Sequence, residues 1–591
     1  MSLLPLGALG ITIAALNVAP EPSVAPAAAT PTTLVAEHAT TTQPPLPTTT
    51  NAAPDASAGA TSTIPLAPSP PAMGAAPTCT TEIPAGALHV DATSTSDAPT
   101  GSADAPYRSL AAAYDAVAAG GAIVVHPGTY RTALGRADND GWVPKRIHLL
   151  GAPGGPAPVI AGTDEMAWRN RDDVWTTDFD NRFDPGDVRG GQLFADRPDA
   201  AYQEQVFVDG VALRQVLQAN RLDTSSFHHD RWSGTLSISI DPTERLVEVS
   251  TRRRAALFAP EAAGSSLECL RFEGFSPAHR DGFAAVVIDA DDMTLTDVTI
   301  TQSAGTGLGV FAENVRLERV TVVENGAVGA TVHRADGFDV VDSAFDQNNA
   351  ATFQWIGCGA RCVLAGMKIT ATTSASVRNS RFAGNLSTGL WCDLGCRDVA
   401  FEHNLVLDNA KHGIFYEVSR SGAIVDNVIA GNGGTGLRIP GSDTTVAARN
   451  IFLTNGTHVV VADDLRSPSE FADAGGDTDP SEIELVENVF AEDDAAATTV
   501  LDLFNSTAES PALGRFSTLD RNCYLLNGDV ADRFVVPEVG SWSSVQDFHA
   551  RTGFATAAIV ADHVGSCGFD AAEVCHLDVV ERSESLRRRL C

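Results

Sequence analysis

A short sequence pattern recurs at a nearly constant interval through the middle of this 591-residue chain. Each copy is a run of apolar residues that ends on a polar residue and leads into a turn of small residues, as in VTVVEN, SRFAGN and NLVLDN. The closing residues are Ser303, Asn325, Asn348, Asn385, Asn409, Asn432 and Asn455. They are 22 to 24 residues apart, except for one interval that holds about 14 extra residues. The repeat therefore predicts a solenoid with a coil of about 23 residues.

Apolar and polar residues alternate within each copy over about four to six residues, which is the period of a strand and not of a helix. One such coil cannot bury its apolar face, so the coils must stack as parallel strands about 4.8 Å apart. Asn side chains at the same place in successive coils would then exchange amide hydrogen bonds. We expect the Asn series to be structural.

The pattern resembles the right-handed parallel β-helix proteins of the pectate-lyase-like superfamily. The segment LHVDA, an Ala-rich amphipathic stretch from Tyr107, and AIVVHPGTY resemble the opening of many extracellular β-helix proteins. The resemblance implies an all-β, right-handed parallel β-helix with an N-terminal capping helix. The later segment SSVQDFHARTGF resembles the part that closes many of these solenoids, which implies a C-terminal cap.

The rest of the chain suggests a surface location. We divide the sequence into an apolar signal or anchor at 1–19, a Pro/Thr/Ala-rich stalk at 20–78, a cap with irregular coils at 79–265, regular repeats at 266–465, and C-terminal coils with a cap at 466–591. The first segment has the length of an export signal but no Lys or Arg in front of it. We expect a monomer that is secreted or tethered to the cell surface, with no membrane domain beyond this possible anchor.

Charge and cysteine content narrow the possible partners. The formal net charge is −34, which excludes nucleic acid as a partner and means that a polyanionic substrate needs a cation or a local basic patch. Ten cysteines include the C-x-x-x-C pairs Cys358/Cys362 and Cys392/Cys396. Disulfides are favoured over a zinc site, because the spacing is not that of a zinc ribbon.

Two consecutive coils carry matching segments, GLWCD and GIFYE. Alignment on the Asn series pairs Trp391 with Phe415 and Asp393 with Glu417. Because side chains alternate across a strand, these four residues would point outward, with Arg438 continuing the aromatic column. The sequence thus predicts stacked carboxylates beside an aromatic column on the outer face of the solenoid.

Two stacked carboxylates repel each other unless a cation, a base or a proton neutralises them. Ca²⁺ is the natural cation for Asp393 and Glu417, and a raised carboxyl pKa would suit a general acid. Lys368 lies beside this rung, and Lys411 and His412 directly precede GIFYE, so the coils also supply bases. The alternative is that these are solvated charges that align by chance.

The arrangement resembles uncharacterised secreted β-helix proteins in which a Lys-containing loop, a GLW-x-D coil and a GI-x-x-E-x-S coil follow one another. The resemblance implies action on a polysaccharide or surface glycan, with lyase or epimerase chemistry favoured. A glycoside hydrolase and a non-catalytic adhesive solenoid remain alternatives, because a fold does not determine a function. The predicted catalytic residues are Lys368, Asp393, His412 and Glu417, the predicted substrate-binding residues are Trp391, Phe415, Arg438 and Lys411, and the predicted Ca²⁺ ligands are Asp393 and Glu417.

Overall fold

The computed structural model describes residues 78–135, 141–180, 183, 197–279, 283–353, 364–464, 479–493, 498–504, 511–526 and 531–561, together with Cys567, Cys575, Val580, Arg587, Arg588 and Leu590. In these ranges the chain forms long parallel sheets wound around one apolar core, which confirms the predicted solenoid. The predicted anchor and nearly all of the predicted stalk lie outside the described residues, as do Cys358 and Cys362.

The larger sheet has 24 strands, each hydrogen-bonded in parallel to the strand one coil away. Its strands are Leu88–Val90, Gly121–Val125, Thr129–Arg131, Ile147–Gly151, Val159–Ala161, Ser266–Glu273, Thr294–Thr301, Arg316–Glu318, Thr321–Val323, Asp339–Val341, Ala344–Asp346, Ser376–Arg378, Arg381–Ala383, Arg397–Glu402, Leu405–Leu407, Arg420–Val425, Val428–Ala430, Val446–Ala448, Ile451–Leu453, Ile483–Val486, Val489–Ala491, Phe516–Asp520, Cys523–Leu525 and Ile559–Val560.

A 13-stranded sheet forms the remaining wall of the solenoid and carries the candidate site. Its strands are Trp142–Val143, Ala256–Phe258, Val286–Ile288, Leu308–Val310, Ala330–His333, Ala365–Thr370, Thr388–Asp393, Ile414–Tyr416, Thr435–Pro440, Thr457–Ala462, Thr499–Phe504, Phe534–Val536 and Gly540–Trp542. Twelve of them run in parallel register, and only the last pairs in the antiparallel direction.

The described residues 163–180, 183 and 197–250 leave the solenoid and form a small module with its own core. A four-stranded and a five-stranded sheet enclose Phe227, Leu236 and Val249, all of which are buried. The strands are Thr163–Glu165, Arg169–Arg171, Val174–Asp178, Val206–Val208, Val211–Ala212, Arg214–Val216, Ser226–Asp230, Thr235–Ile238 and Val247–Ser250. Arg169–Arg171 and Val174–Asp178 form an antiparallel hairpin within this module.

Helices cover both ends of the core. Leu110–Ala116 begins at the N-cap Ser109 and buries Leu110 and Tyr114, as the predicted capping helix should. Val545–Thr552 stacks Phe548 on Phe534 at a ring distance of 4.8 Å at the opposite end. The 3₁₀ turns are Pro198–Ala201, Ala219–Arg221, Pro260–Ala262 and Ala512–Arg515. Within the described ranges, no helix has the length and apolarity needed to cross a membrane.

The predicted Asn series forms a continuous buried ladder. From Asn325 to Asn455, each side-chain amide donates to the side-chain oxygen of the next Asn at 2.8–3.1 Å. Glycines lie against this ladder for a steric reason, since a Cβ on Gly389 would lie 2.7 Å from the Asn409 amide nitrogen. A second ladder, which the sequence analysis did not identify, joins Asn404, Asn427, Asn450, Asn488 and Asn522.

Three disulfides lie within the described residues, in agreement with the prediction of bridges. Cys79–Cys269 ties the start of the described chain to a solenoid strand 190 residues later. Cys392–Cys396 closes a turn within a single coil, and Cys523–Cys567 ties the C-terminal segment to the larger sheet.

Candidate functional site

Four neighbouring strands of the 13-stranded sheet align the predicted site residues in one column. The register pairs Lys368 with Trp391, Trp391 with Phe415, and Phe415 with Arg438. Met367 and Ile369 on either side of Lys368 are fully buried in the core, so the alternation of the strand points Lys368 outward. The predicted column is therefore confirmed, and Lys368 belongs to it as a strand residue and not as a loop residue.

The two aromatic rings of this column stack between two cations. Trp391 and Phe415 have ring centroids 4.9 Å apart and an interplanar angle of 21°. The Lys368 ammonium lies 3.4 Å from the centre of the Trp391 ring, and the Arg438 guanidinium lies 5.9 Å from the centre of the Phe415 ring. Both contacts are within the range of cation–π attraction, so the rings help to position the two charges.

The Lys368 ammonium also donates to Asp393. Its Nζ is 2.8 Å from Asp393 Oδ2, and only 5% of Lys368 and 2% of Asp393 are exposed. The other oxygen, Asp393 Oδ1, accepts from the backbone N–H of Leu394 at 2.7 Å. A buried carboxylate is stable when it is paired and hydrogen-bonded, and Asp393 meets both conditions.

Glu417 has a different partner. Cys392 pairs with Tyr416 in the register of the sheet, so Glu417, which follows Tyr416, lies one coil beyond Asp393, which follows Cys392. Glu417 Oε2 accepts from the Trp391 indole N–H at 3.0 Å. Each carboxylate is thus stabilised separately, Asp393 by a cation and Glu417 by an indole. Of the three predicted ways to neutralise these acids, the structure shows a base for Asp393, namely Lys368, and the alternative of solvated charges is wrong for Asp393, which is buried.

His412 lies at the Phe415 end of the stack. Its ring centroid is 5.0 Å from that of Phe415, and 8% of the residue is exposed. Burial lowers the pKa of His412 well below its ordinary value, and the nearby cations Lys411 and Arg438 lower it further. His412 is therefore a neutral imidazole at neutral pH, flanked by two partly exposed cations.

The aromatic stack is less open than the sequence suggested. Phe415 is 7% exposed, because Trp391, His412 and Arg438 surround its ring. Phe415 was predicted to bind substrate through an exposed ring, and the expected exposure is wrong for this residue. Trp391 is partly exposed, so the ligand-accessible apolar surface is limited to this ring.

Two further polar residues of this sheet were not among the predicted site residues. His333 Nδ1 lies 2.9 Å from Thr370 Oγ1, and Thr370 pairs in register with Asp393. His333 is four residues after Gly329, as Asp393 is four after Gly389, so extending the glycine alignment would have found it. Asp502 lies two coils beyond Arg438, and burial raises its carboxyl pKa while Arg438 opposes the shift.

The residues at this site do not fit Ca²⁺. The described ranges contain no group of three His, Cys, Asp or Glu side chains that could hold a metal ion. Ca²⁺ takes six to eight oxygen ligands, whereas both Asp393 oxygens accept protein hydrogen bonds and one Glu417 oxygen accepts from Trp391.

The fold agrees with a known family of solenoids. Residues 284–453 match the family model described as a right-handed β-helix region. The chain is a right-handed parallel β-helix. No curated protein shows significant sequence similarity to it.

This β-helix is similar to several solved structures. One is a structure of XylC with xylose, at 16% identity and a TM-score of 0.51, covering 80% of this chain and 86% of that chain. Another is the A-module of the mannuronan C-5 epimerase AlgE6 of Azotobacter vinelandii, at 14% identity and a TM-score of 0.44, covering 77% and 93%. A third is a glycoside hydrolase, at 11% identity and a TM-score of 0.35, covering 73% and 98%. The similarity to the XylC structure concerns the fold alone and agrees with the predicted β-helix.

Proposed function

We propose that this β-helix is a secreted or surface-tethered enzyme that acts on an acidic polysaccharide, by elimination or by epimerisation at a uronic acid. One observation carries the proposal: a buried Lys368–Asp393 ion pair and a neutral His412 lie at opposite ends of one aromatic stack on the outer face of the sheet. The chain has only three lysines, and two of them, Lys368 and Lys411, belong to these coils. The described disulfides support an oxidising compartment.

The cations provide the first requirement of this chemistry. The proton at C5 of a uronic acid becomes acidic only when the neighbouring carboxylate is neutralised. Arg438 and Lys411 are partly exposed, so they can bind this carboxylate in a chain whose net charge is otherwise strongly negative.

His412 is the base in this proposal. Its pKa is low in the free protein partly because Lys411 and Arg438 are close. A substrate carboxylate that binds to these two cations would cancel their effect and raise the proton affinity of the imidazole. Substrate binding would therefore activate the base that removes the C5 proton.

Lys368 is the proton donor. Asp393 and the Trp391 ring hold its ammonium in one position. In elimination, the C5–H electrons form a C4=C5 double bond, the C4–O bond breaks, and Lys368 gives a proton to the leaving oxygen. In epimerisation, no C–O bond breaks, and Lys368 returns a proton to C5 from the opposite face.

Hydrolysis is the second candidate, because Asp393 and Glu417 place two carboxylates on adjacent coils. The similar fold of XylC was solved with xylose, which supports a saccharide ligand but not a specific reaction. Hydrolysis would require Asp393 or Glu417 to protonate the glycosidic oxygen in place of Lys368.

A panel of acidic and neutral polysaccharides tests these options. The protein is incubated with each, with and without Ca²⁺, and ultraviolet absorbance of unsaturated uronates, new reducing ends and C5 configuration by NMR are followed. We expect either unsaturated ends or C5 inversion, and a loss of at least 100-fold in kcat for Lys368→Ala and His412→Asn. Lys145→Ala is the lysine control, since Lys145 caps backbone carbonyls far from the site.

The other outcomes are equally informative. Reducing ends without ultraviolet absorbance, lost in Glu417→Gln and kept in Lys368→Ala, would replace the proposal by hydrolysis. If the protein binds a polysaccharide but forms no product from it, the proposal would be replaced by a non-catalytic, glycan-binding solenoid.

A further inference from the structure

The disulfide Cys392–Cys396 encloses a residue of the candidate site. Only Asp393, Leu394 and Gly395 lie between the two cysteines, so the bridge closes directly around the carboxylate that holds Lys368. Leu394 has φ of 54°, in the left-handed region that most side chains avoid. In this conformation the Leu394 N–H donates to Asp393 Oδ1. The covalent bridge thus constrains the backbone on which the orientation of Asp393 depends.

Neighbouring coils form the equivalent turn, at the end of the strand, without a disulfide. Backbone hydrogen bonds place Thr372, Cys396 and Ser419 at equivalent positions of successive coils. The Thr372 hydroxyl accepts from the backbone N–H of Ala335 in the preceding coil. The Ser442 hydroxyl accepts in the same way from the backbone N–H of Ser419, which is also in the preceding coil. A hydroxyl is therefore sufficient for stacking, and the coil that carries Asp393 departs from this pattern.

The bridge is also poorly suited to a purely global role. It spans four residues, whereas Cys79–Cys269 spans 190, and the stabilisation from closing a loop grows with loop length. Cys392 and Cys396 are fully buried, with Cys392 packed in register between Ile369 and Tyr416. A reductant in solution does not reach this bridge while the coils are stacked.

We propose that Cys392–Cys396 is a positioning disulfide that fixes Asp393 against Lys368, so that the site is assembled only in protein that folds under oxidising conditions. The two thiols lose two electrons and two protons as the S–S bond forms, and a small disulfide such as oxidised glutathione takes them up to give two thiols. Reduced protein would fold into the same solenoid with a mobile Asp393. The effect on activity rests on the proposed function, but the effect on Lys368 does not.

The scarcity of lysine makes the position of Lys368 directly measurable. Full-length protein labelled with ¹³Cε-lysine gives three ε-methylene NMR signals, which single Lys→Arg variants assign. The signals are compared in wild type, Cys392→Ala/Cys396→Ala and Cys392→Val/Cys396→Ala, where the valine preserves core packing. Cys79→Ala/Cys269→Ala is the matched control for the loss of a disulfide elsewhere.

We expect both variants of the local bridge to move the Lys368 signal while the signals of Lys145 and Lys411 stay in place, and the control to change none of the three. Where turnover is measurable, kcat should fall at least 10-fold with KM within about 2-fold. Unchanged Lys368 signals in the folded variants would overturn the proposal, whatever happens to activity. Failure of both variants to fold while the control folds would also overturn it, by assigning the bridge to global stability. An inactive wild type would refute the proposed function alone, because the NMR comparison stands without turnover.

Discussion

Asp393→Ala should destabilise the protein strongly, because it removes the carboxylate that pairs with the Lys368 ammonium. The remaining ammonium is 5% exposed and keeps only the indole face of Trp391. Removing one partner of a buried ion pair typically costs about 3–5 kcal/mol. The Leu394 N–H also loses its acceptor, which adds about 1 kcal/mol. We therefore expect the free energy of unfolding to fall by about 4–6 kcal/mol.

The double variant Lys368→Met/Asp393→Ala distinguishes an ion pair from two independent contacts. It removes both charges and leaves an apolar side chain of similar length over the indole, so it should be more stable than Asp393→Ala by about 2–4 kcal/mol. Urea unfolding followed by circular dichroism and by tryptophan fluorescence measures these differences, and coincident transitions license a two-state analysis.

An exposed ion pair provides the control. Arg245 and Asp209 are 3.0 Å apart with side chains 46% and 51% exposed, and Arg245→Ala should cost no more than about 1 kcal/mol. If the effects of Lys368→Met and Asp393→Ala instead add within about 0.5 kcal/mol, the two side chains do not interact and the described site is wrong.

Three more outcomes test the fold and the environment of the site. Asn409→Ala orphans the backbone N–H of Asn385 and other ladder groups, so the free energy of unfolding should fall by about 2–5 kcal/mol in urea titrations, whereas the exposed Asn170→Ala should stay within about 0.5 kcal/mol. Gly389→Ala should destabilise as well, measured in the same way, because its Cβ would lie 2.7 Å from the Asn409 amide; wild-type stability would show that the ladder yields. The pKa of His412 is lower in the folded than in the unfolded protein, so the unfolded state takes up the proton first as the pH falls. The free energy of unfolding should therefore decrease as the pH drops below about 6.5. His412→Asn should make this pH dependence shallower, and an unchanged pH dependence would contradict the burial of His412.

The regular part of the fold could be predicted because its information is local. The closing Asn of each apolar run identifies the coil, and the residue after each turn must be Gly where the ladder amide occupies the space of a Cβ. These two markers fix the register, and strand alternation then decides which residues share a column. Trp391, Phe415 and Arg438 were placed correctly on that basis alone. An equivalent marker, the Asn that begins runs such as NLVLDN, was present for the second ladder but was not used.

Burial and partner choice could not be predicted in the same way. Periodicity gives the direction of a side chain but not what covers it, so Asp393 was expected on the outer face without any prediction of its burial, and it is 2% exposed. The 14 extra residues between Asn348 and Asn385 also obscured the register of Lys368, whose pairing with Trp391 decides that its ammonium reaches Asp393. The strands of the small module between residues 163 and 250 carry no sequence repeat from which their pairing could be predicted.

The location of the site follows from where the coils depart from their own pattern. Stacking requires only apolar residues inward, Asn at the ladder, Gly beside it and a hydroxyl at the corner. In the column that holds Lys368, the preceding coils carry Gly309 and Thr331, which satisfy stacking without charge. Lys368, the buried Asp393 and the disulfide at Cys396 add nothing that stacking needs, and replacing a buried ion pair by well-packed apolar residues is often neutral or stabilising. Local choices that conflict with the stability of a fold concentrate at functional sites. Because these departures coincide in adjacent coils, they favour a selected active site over a chance alignment of charges.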